Sequence, residues 1–310
     1  MKTLFIIDDY FPERAAPAVR IRSFVNELDD AYVVGGCRQD PKDSMVCIVD
    51  RPSEKDFFAF SYFLLKLNAV ALYQTIKRAP KVTVLSIPKY ELLLCFPFLR
   101  LFTKKLVLDV RDSVNFINYS SYFAHFLPLA LAKALGAIVK LWWRLWLIIC
   151  VECAHKVTCA NKGIKELIGG TRTVVISNGV NTELFVPKAK KKSGFHVAYV
   201  GNFAEKDRFD WIIPALEEVP ATLHLVGRGR NKDRVIKELK KRKIKVVDHG
   251  FVDHKKLPKI IDGMHAGFIF RDGEVTESIP VAIYEFSSMN IPSIANGGGL
   301  LTDFMKKYGL

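Results

Sequence analysis

The feature that most constrains the fold is an alternation. Short β-branched runs recur with helix-patterned segments between them: TLFII (3–7), AYVVG (31–35), VTVLSI (82–87), LVLDV (106–110), KVTCA (156–160) and TVVIS (173–177). A second series follows in HVAYVG (196–201), TLHLVG (222–227), IKVVD (244–248), AGFIF (266–270) and IPSIA (291–295). Strands that alternate with helices build parallel sheets covered on both faces. The expected fold class is therefore α/β, with two Rossmann-like domains facing a cleft. Between the two series lies VPKAKKKSG (186–194), polar and lysine-rich with a terminal glycine, which reads as an interdomain segment. The expected division is a first domain over 1–187, a linker over 188–194 and a second domain over 195–310.

At 310 residues, half of them hydrophobic, the chain is long enough for two cores. Neither half carries GxGxxG, which disfavours a nicotinamide dehydrogenase. The net charge of +14 favours anionic partners, whether phosphorylated substrate, acidic phospholipid or nucleic acid. The basic run NKDRVIKELKKRKIK (231–245) has no interleaved aromatics and reads as a solvated helix face, so no nucleic-acid partner is expected. Six cysteines without framework spacing read as thiols in a reducing compartment, and the CxxC of Cys150 and Cys153 lacks a second ligand pair, so no metal is expected. The N-terminal apolar run is too short for a signal-peptide core, and the expected location is cytoplasmic.

From Phe123 to Cys150 the chain is almost wholly apolar, interrupted by Lys133, Lys140 and Arg144. At helical spacing these three cations fall within about 40° of one another. The expectation is a helix lying on an anionic membrane surface rather than an uninterrupted span, or, for its second half, a core helix before strand 156–160. Tyr119 to Leu135 reads as an insertion broken at Pro128.

The stretch ESIPVAIYE places Glu277 and Glu285 eight positions apart around Pro280, where a strand has ended and a helix begins. A helix amino terminus offers unpaired N–H groups and positive potential, so the backbone at Ser278 and Ile279 suits a pyrophosphate and the carboxylates suit hydroxyls. Spacing alone leaves the two acids open between that role and plain solvated positions. Lys206 and Arg208 follow the strand at 196–201, and Arg228 and Gly250 follow later strands, so these loops share one sheet edge. In the first half, Arg20 and Arg22 lie in the first turns of the helix after strand 3–7, where they meet an anion or stand exposed.

In this order, ISNGVNTELFVP (176–187), YVGNFAEKDRFDWIIPAL (199–216), LHLVGRG (223–229), HGFVDHKKLPKII (249–261) and the E-x7-E of Glu277 and Glu285 resemble the GT-B glycosyltransferases of the large retaining family 4. The resemblance implies a nucleotide-sugar donor bound mainly by the second domain and an acceptor bound mainly by the first. It implies transfer with retention and without a metal. The apolar insertion makes a membrane- or lipid-linked glycan intermediate of cell-surface polysaccharide synthesis the expected acceptor. Carried over by position, Glu285 holds ribose hydroxyls, Glu277 faces the donor sugar and Lys206 neutralises the departing diphosphate. Gly201, Asn202, Arg208, Arg228, Gly250, Phe251, Ser278, Ile279 and Pro280 line the donor. Asp112 and Arg111 reach toward the donor sugar, with Asp109 a lesser candidate, and Arg20 and Ala16 lie on the acceptor or phosphate side. The sequence departs from the pattern at Ala15, Ala16 and Pro17, where relatives carry a glycine pair, and at Asn202, where many carry arginine. It also stops at Leu310, short of the family's usual last elements. That departure supports the alternative of a shortened, weakly active relative acting as a membrane-associated binding subunit.

Overall fold

The computed structural model describes residues 2–11, 16–52, 57–87, 89–112, 119–124, 126–204, 207–269, 279–296 and 299–310. The chain divides into two compact units, Met1–Ser177 and Asn178–Leu310.

The first unit holds β1 (Thr3–Phe11), α1 (Ala16–Asn26), β2 (Ala31–Cys37), β3 (Val46–Asp50), α2 (Phe57–Arg78), β4 (Val82–Ile87), a 3-10 helix (Tyr90–Cys95) running into α3 (Phe96–Phe102), β5 (Lys105–Val110), α4 (Tyr119–Phe123), α5 (Leu129–Cys153), β6 (Lys156–Cys159), α6 (Lys162–Ile168) and β7 (Thr173–Val175). Its parallel sheet has the order β3-β2-β1-β4-β5-β6-β7. Successive side chains in a strand face opposite ways. Leu4, Ile6, Leu85, Leu108 and Val157 accordingly pack with α2, α3, α5 and α6, while Phe5, Ile7 and Val33 pack with Ile21 of α1 on the other face.

The second unit holds β8 (Phe195–Gly201), α7 (Ile213–Glu218), β9 (Ala221–Gly227), α8 (Lys232–Lys241), β10 (Lys245–Gly250), α9 (Leu257–Ile261), β11 (Ala266–Ile269), α10 (Val281–Ser288), β12 (Ser293–Ala295) and α11 (Gly299–Tyr308). Its parallel sheet has the order β10-β9-β8-β11-β12. Val197, Leu223 and Leu225 meet α7 and α8 on one face. Ala198, Val226 and Ile269 meet α9, α10 and α11 on the other.

Three findings differ from the sequence reading. The segment expected as a linker over 188–194 is bound along the second unit. Asp262 accepts from the amides of Lys188 and Ala189, Lys191 Nζ donates to the Met264 carbonyl (2.6 Å), and Phe185 just before it is buried in the core. The charged heads that suggested a free linker are tethers. The edge strand β3 was missed, because VCIVD is short and begins directly after a polar turn. Finally, the insertion boundary at Leu135 falls inside one continuous helix, α5. Pro128 is its N-cap, supplying an extended residue from which the helix starts, and not a break within it.

Candidate functional site

All strands of the second unit run one way, so the loops after β8, β9, β10 and β11 leave the same edge, and the strand order reverses between β8 and β11. Open α/β sheets bind ligands at that edge and that reversal. The β8 loop is held by Phe203, fully buried, whose ring stacks 5.3 Å from Phe209 and meets Tyr199 edge-on at 4.8 Å. Asp207 accepts from Tyr199 Oη and from the Ala204 amide, each at 2.8 Å, which sets the turn. Gly201 is thereby half-buried and Asn202 exposed at the strand end.

The β9 loop lies directly against it. A Cβ on Gly227 would overlap the Gly201 carbonyl oxygen, and one on Gly229 would overlap that of Asn202, so only glycine permits this contact. Between them Arg228 is exposed, its guanidinium 4.9 Å from the ring of Phe251, which follows Gly250 at the end of β10. Lys232 ties the two loops, donating to the Gly227 carbonyl (2.8 Å) and pairing with Asp248.

Glu285 lies in α10, which begins after Ile279 and its N-cap Pro280. The helix packs closely on β11 because Gly267 has no side chain; a Cβ there would overlap the Phe286 ring. Glu285 is only 4% exposed. Its Oε1 lies 2.8 Å from Nε2 of His254, whose ring also packs 5.1 Å from that of Phe185. A carboxylate can only accept, so the histidine nitrogen donates. His254 sits in a 3-10 turn (His254–Lys256) capped by the Asp253 carboxylate, which accepts from the Lys255 amide at 2.9 Å. The result is a buried, oriented acid beside the carboxyl edge.

Not every expected donor residue falls in place. Arg208 is gripped through two bonds by Asp210 (3.0 and 2.7 Å) and lies over the Trp211 ring at 4.9 Å, so its guanidinium is engaged by its own turn rather than held out for phosphate. Lys206, Glu277 and Ser278 lie outside the described residues. His254, Lys232 and Asp207 were not singled out from the sequence. Asp207 lies in the YVGNFAEKDRFDWIIPAL stretch, Lys232 in the basic run 231–245 and His254 in the HGFVDHKKLPKII stretch, and the pairing of His254 with Glu285 across 31 positions is not written in local spacing.

At the carboxyl edge of the first unit, Arg111 follows β5 and is buried, donating through Nη2 to Asp8 Oδ1 at 3.1 Å. Asp112 is half-buried, and its carbonyl accepts from Tyr90 Oη at 2.9 Å. Ala16 begins α1, while Arg22 donates to Tyr10 Oη at 3.2 Å. Arg20 corrects the expectation of an anion contact. It is 5% exposed, paired with buried Asp109 at 2.9 Å, and donates to the Ile176 carbonyl at 2.6 Å. Asp109 also accepts from Ser86 Oγ and Thr158 Oγ1, each at 2.7 Å. Burial pushes the Asp109 carboxyl up, but the Arg20 charge and these bonds outweigh it and hold it below the usual carboxylate range. Arg20 and Asp109 therefore clamp α1 to β5 and the end of β7. Among the described residues, no group of three or more His, Cys, Asp and Glu side chains is arranged to hold a metal ion.

No protein-family model matches the chain, and no curated protein matches it. Solved structures do. WaaG, described as a glycosyltransferase involved in lipopolysaccharide biosynthesis, superposes with a TM-score of 0.65 at 12% identity, covering 100% of this chain and 84% of that one. HepE of Anabaena, in complex with UDP and glucose, gives 0.63 at 15% identity over 97% of this chain and 83% of that one. A trehalose-6-phosphate protein from E. coli bound with UDP-2-fluoro glucose gives 0.60 at 10% identity over 96% and 84%. The chain has the GT-B fold of these glycosyltransferase structures, two Rossmann-like domains each built on a parallel sheet.

Proposed function

We propose that the chain is a retaining glycosyltransferase that moves a sugar from a nucleotide-sugar donor to a lipid-linked or membrane-borne glycan acceptor. The observation that carries this reading is Glu285, a buried carboxylate fixed by His254 in the second turn of the helix that follows β11. A diol such as a ribose offers two hydroxyl donors to such a carboxylate. In this reading the loop ends at Gly201, Asn202, Arg228, Gly250 and Phe251 line the donor, and Ile279 and Pro280 lead into the helix terminus that receives the diphosphate. Lys206 neutralises charge on the leaving group, and Glu277 faces the sugar. Cations and helix N–H groups then stabilise the departing diphosphate electrostatically. On the first unit, Asp112 and Arg111 remain candidates at the carboxyl edge of its own sheet.

A membrane acceptor is supported by the outer face of the first unit. Helix α5 is long and apolar enough to cross a membrane, yet Trp143, Leu147, Cys150 and Val151 are packed into the core and Trp146 Nε1 donates to the Leu93 carbonyl, which holds it against the unit. Its opposite side exposes Ile138, Leu141, Trp142, Leu145 and Ile149, with Lys133, Lys140 and Arg144 along one border. Helix α2 repeats the arrangement. Phe58, Tyr62, Leu65, Tyr73 and Ile76 are exposed within about 80° of arc at helical spacing, bordered by Lys66 and Lys77. Phe98, Leu101 and Phe102 of α3 continue it. Apolar faces bordered by cations suit the interface of an anionic leaflet, with the cations at headgroup level.

The test is transfer itself. Purified chain with each nucleotide sugar and a lipid-linked glycan extract is expected to release nucleoside diphosphate and to form a product that keeps the donor's anomeric configuration by NMR. Donor binding with inverted product would remove the retaining mechanism. Binding without turnover would favour the binding-subunit alternative.

A further inference from the structure

We propose that the first unit carries a phosphate subsite built on Arg111, and that it receives a phosphate ester on the acceptor. The proposal rests on the reading of this unit as the acceptor side. The strand order of the first sheet reverses between β1 and β4. Around that point stand Asp8 in the carboxyl half of β1, Arg51 just after β3, Lys89 and Glu91 after β4, and Arg111 after β5.

Arg111 is the observation that points to a ligand. Its side chain is 4% exposed, and Nη2 is occupied by Asp8 Oδ1 (3.1 Å) and the Ser86 carbonyl (3.5 Å). Its Nε and Nη1 are buried and meet no acceptor. A guanidinium offers five N–H donors in a planar fork, and leaving buried donors unmatched is unfavourable because their lost hydration is not replaced. Such a group calls for an acceptor that the protein itself does not provide. Asp8 is not that acceptor, because it is shared: Arg51 Nη2 lies 3.8 Å from its Oδ2, and Arg51 Nη1 lies 3.6 Å from Asp9.

The charges around the fork have the right sign. Arg38, Arg51, Lys89 and Arg111 stand with Asp8, Asp9 and Glu91, an excess of cations. Burial pushes the Glu91 carboxyl above its ordinary range, with Asp8 adding to the rise and Lys89 opposing it, which favours its neutral form. The carboxyl's Oε2 is also buried without a partner, ready for a hydroxyl donor. A phosphate ester with a neighbouring hydroxyl supplies both missing groups. Arg51 and Lys89 lie 5.3 and 5.2 Å from the ring of Phe60 in α2, the helix whose first turns expose Phe58 and Tyr62. The cations and the apolar stripe thus share one end of one helix, so the ester is either a lipid phosphate or a soluble sugar phosphate.

The experiment is calorimetric titration of the full chain with inorganic phosphate, a hexose phosphate and geranyl phosphate. Wild type, Arg111→Lys, Lys89→Gln and Glu285→Gln are compared after each has been shown to be folded by its melting curve. At least one phosphate compound is expected to bind wild type, with affinity lowered on the order of tenfold in Arg111→Lys, because an ammonium does not reproduce the fork. Lys89→Gln, half-buried and outside the Arg111–Asp8 pair, is expected to weaken binding about threefold and serves if Arg111→Lys does not fold. Glu285→Gln is expected to bind unchanged. Binding of geranyl phosphate alone assigns a lipid source, and of hexose phosphate alone a soluble one. No binding by wild type, or equal affinity in wild type and the first-unit variants, overturns the subsite. Loss confined to Glu285→Gln also overturns it, while leaving the donor site of the second unit standing.

Discussion

Replacing Glu285 by glutamine separates the donor site from the fold. The carboxylate is 4% exposed and its Oε1 already accepts from His254 at 2.8 Å, so little solvent competes for either oxygen. Glutamine keeps the length and, through its own Oε1, the bond from His254. What it loses is the charge and one acceptor. On the stability side a charged bond becomes a neutral one, a change of about 1 kcal/mol, and the chain remains folded. On the binding side, hydrogen bonds to a charged group contribute about 1.5–3 kcal/mol, so losing the acceptor for one donor hydroxyl lowers affinity by a factor of about 10 to 150. The assay is calorimetric titration of wild type and Glu285→Gln with the best-bound nucleotide sugar, with thermal melts run alongside. Affinity within about twofold of wild type, in a folded variant, would refute the placement of the donor diol on this side chain.

Other outcomes follow from the same geometry. Gly267→Ala forces the Phe286 ring away from β11, and is expected to cost about 1–3 kcal/mol in urea unfolding and to weaken donor binding because α10 carries Glu285; unchanged binding would detach the helix position from the site. Asp109→Ala leaves Arg20 buried without its counter-charge, and chemical unfolding should show a loss of about 3–5 kcal/mol, a loss below about 1 kcal/mol contradicting the clamp. His224 lies in a chain of rings, 2.8 Å from His196 and 2.9 Å from His249. Burial, then Lys192 and the two histidines, lowers its pKa to about 4 from 6.5. The unfolded chain therefore takes up the proton first, and stability should be constant above about pH 6.5 and decline as pH falls toward 4. His224→Gln should flatten that decline in a series of melting temperatures, and an unchanged slope would contradict the assignment. Leu141→Ser, Leu145→Ser and Ile149→Ser together alter exposed positions of α5, so the fold is kept while sedimentation with phosphatidylglycerol vesicles falls at least about fivefold; equal sedimentation would remove the membrane face.

The alternation of β-branched runs was enough to read both sheets, because parallel strands buried on both faces leave continuous apolar runs in the chain. Val46–Asp50 escaped because this edge strand is only five residues long and begins directly after a polar turn. The basic stripe of α5 was visible from helical spacing alone, whereas the matching stripe of α2 became apparent only once burial had separated its inward from its outward aromatics. The site was legible where chemistry is local. Arg228 and Gly250 stand at the sheet edge that strand-then-loop reasoning assigns, while Gly201, Asn202 and Phe251 come from the family resemblance, which also gives Glu285 its role. It was not legible where a partner comes from far along the chain. Arg20 reads as an exposed cation until Asp109, 89 positions away, is folded against it, and Glu285 reads as a solitary acid until His254 arrives from the loop after β10. The lysines of 188–194 mislead for the same reason, since their partners are carbonyls and a carboxylate beyond residue 259.

The central claim is a nucleotide-sugar site on the second unit. Its most direct test is a thermal-shift screen of the purified chain against UDP, GDP, ADP, dTDP and CDP sugars, since a ligand bound only by the native state raises the melting temperature by mass action. A clear rise is expected with one base, and a smaller rise with that base in Glu285→Gln. No rise with any of the five in folded protein, or an equal rise in the variant, would contradict that claim.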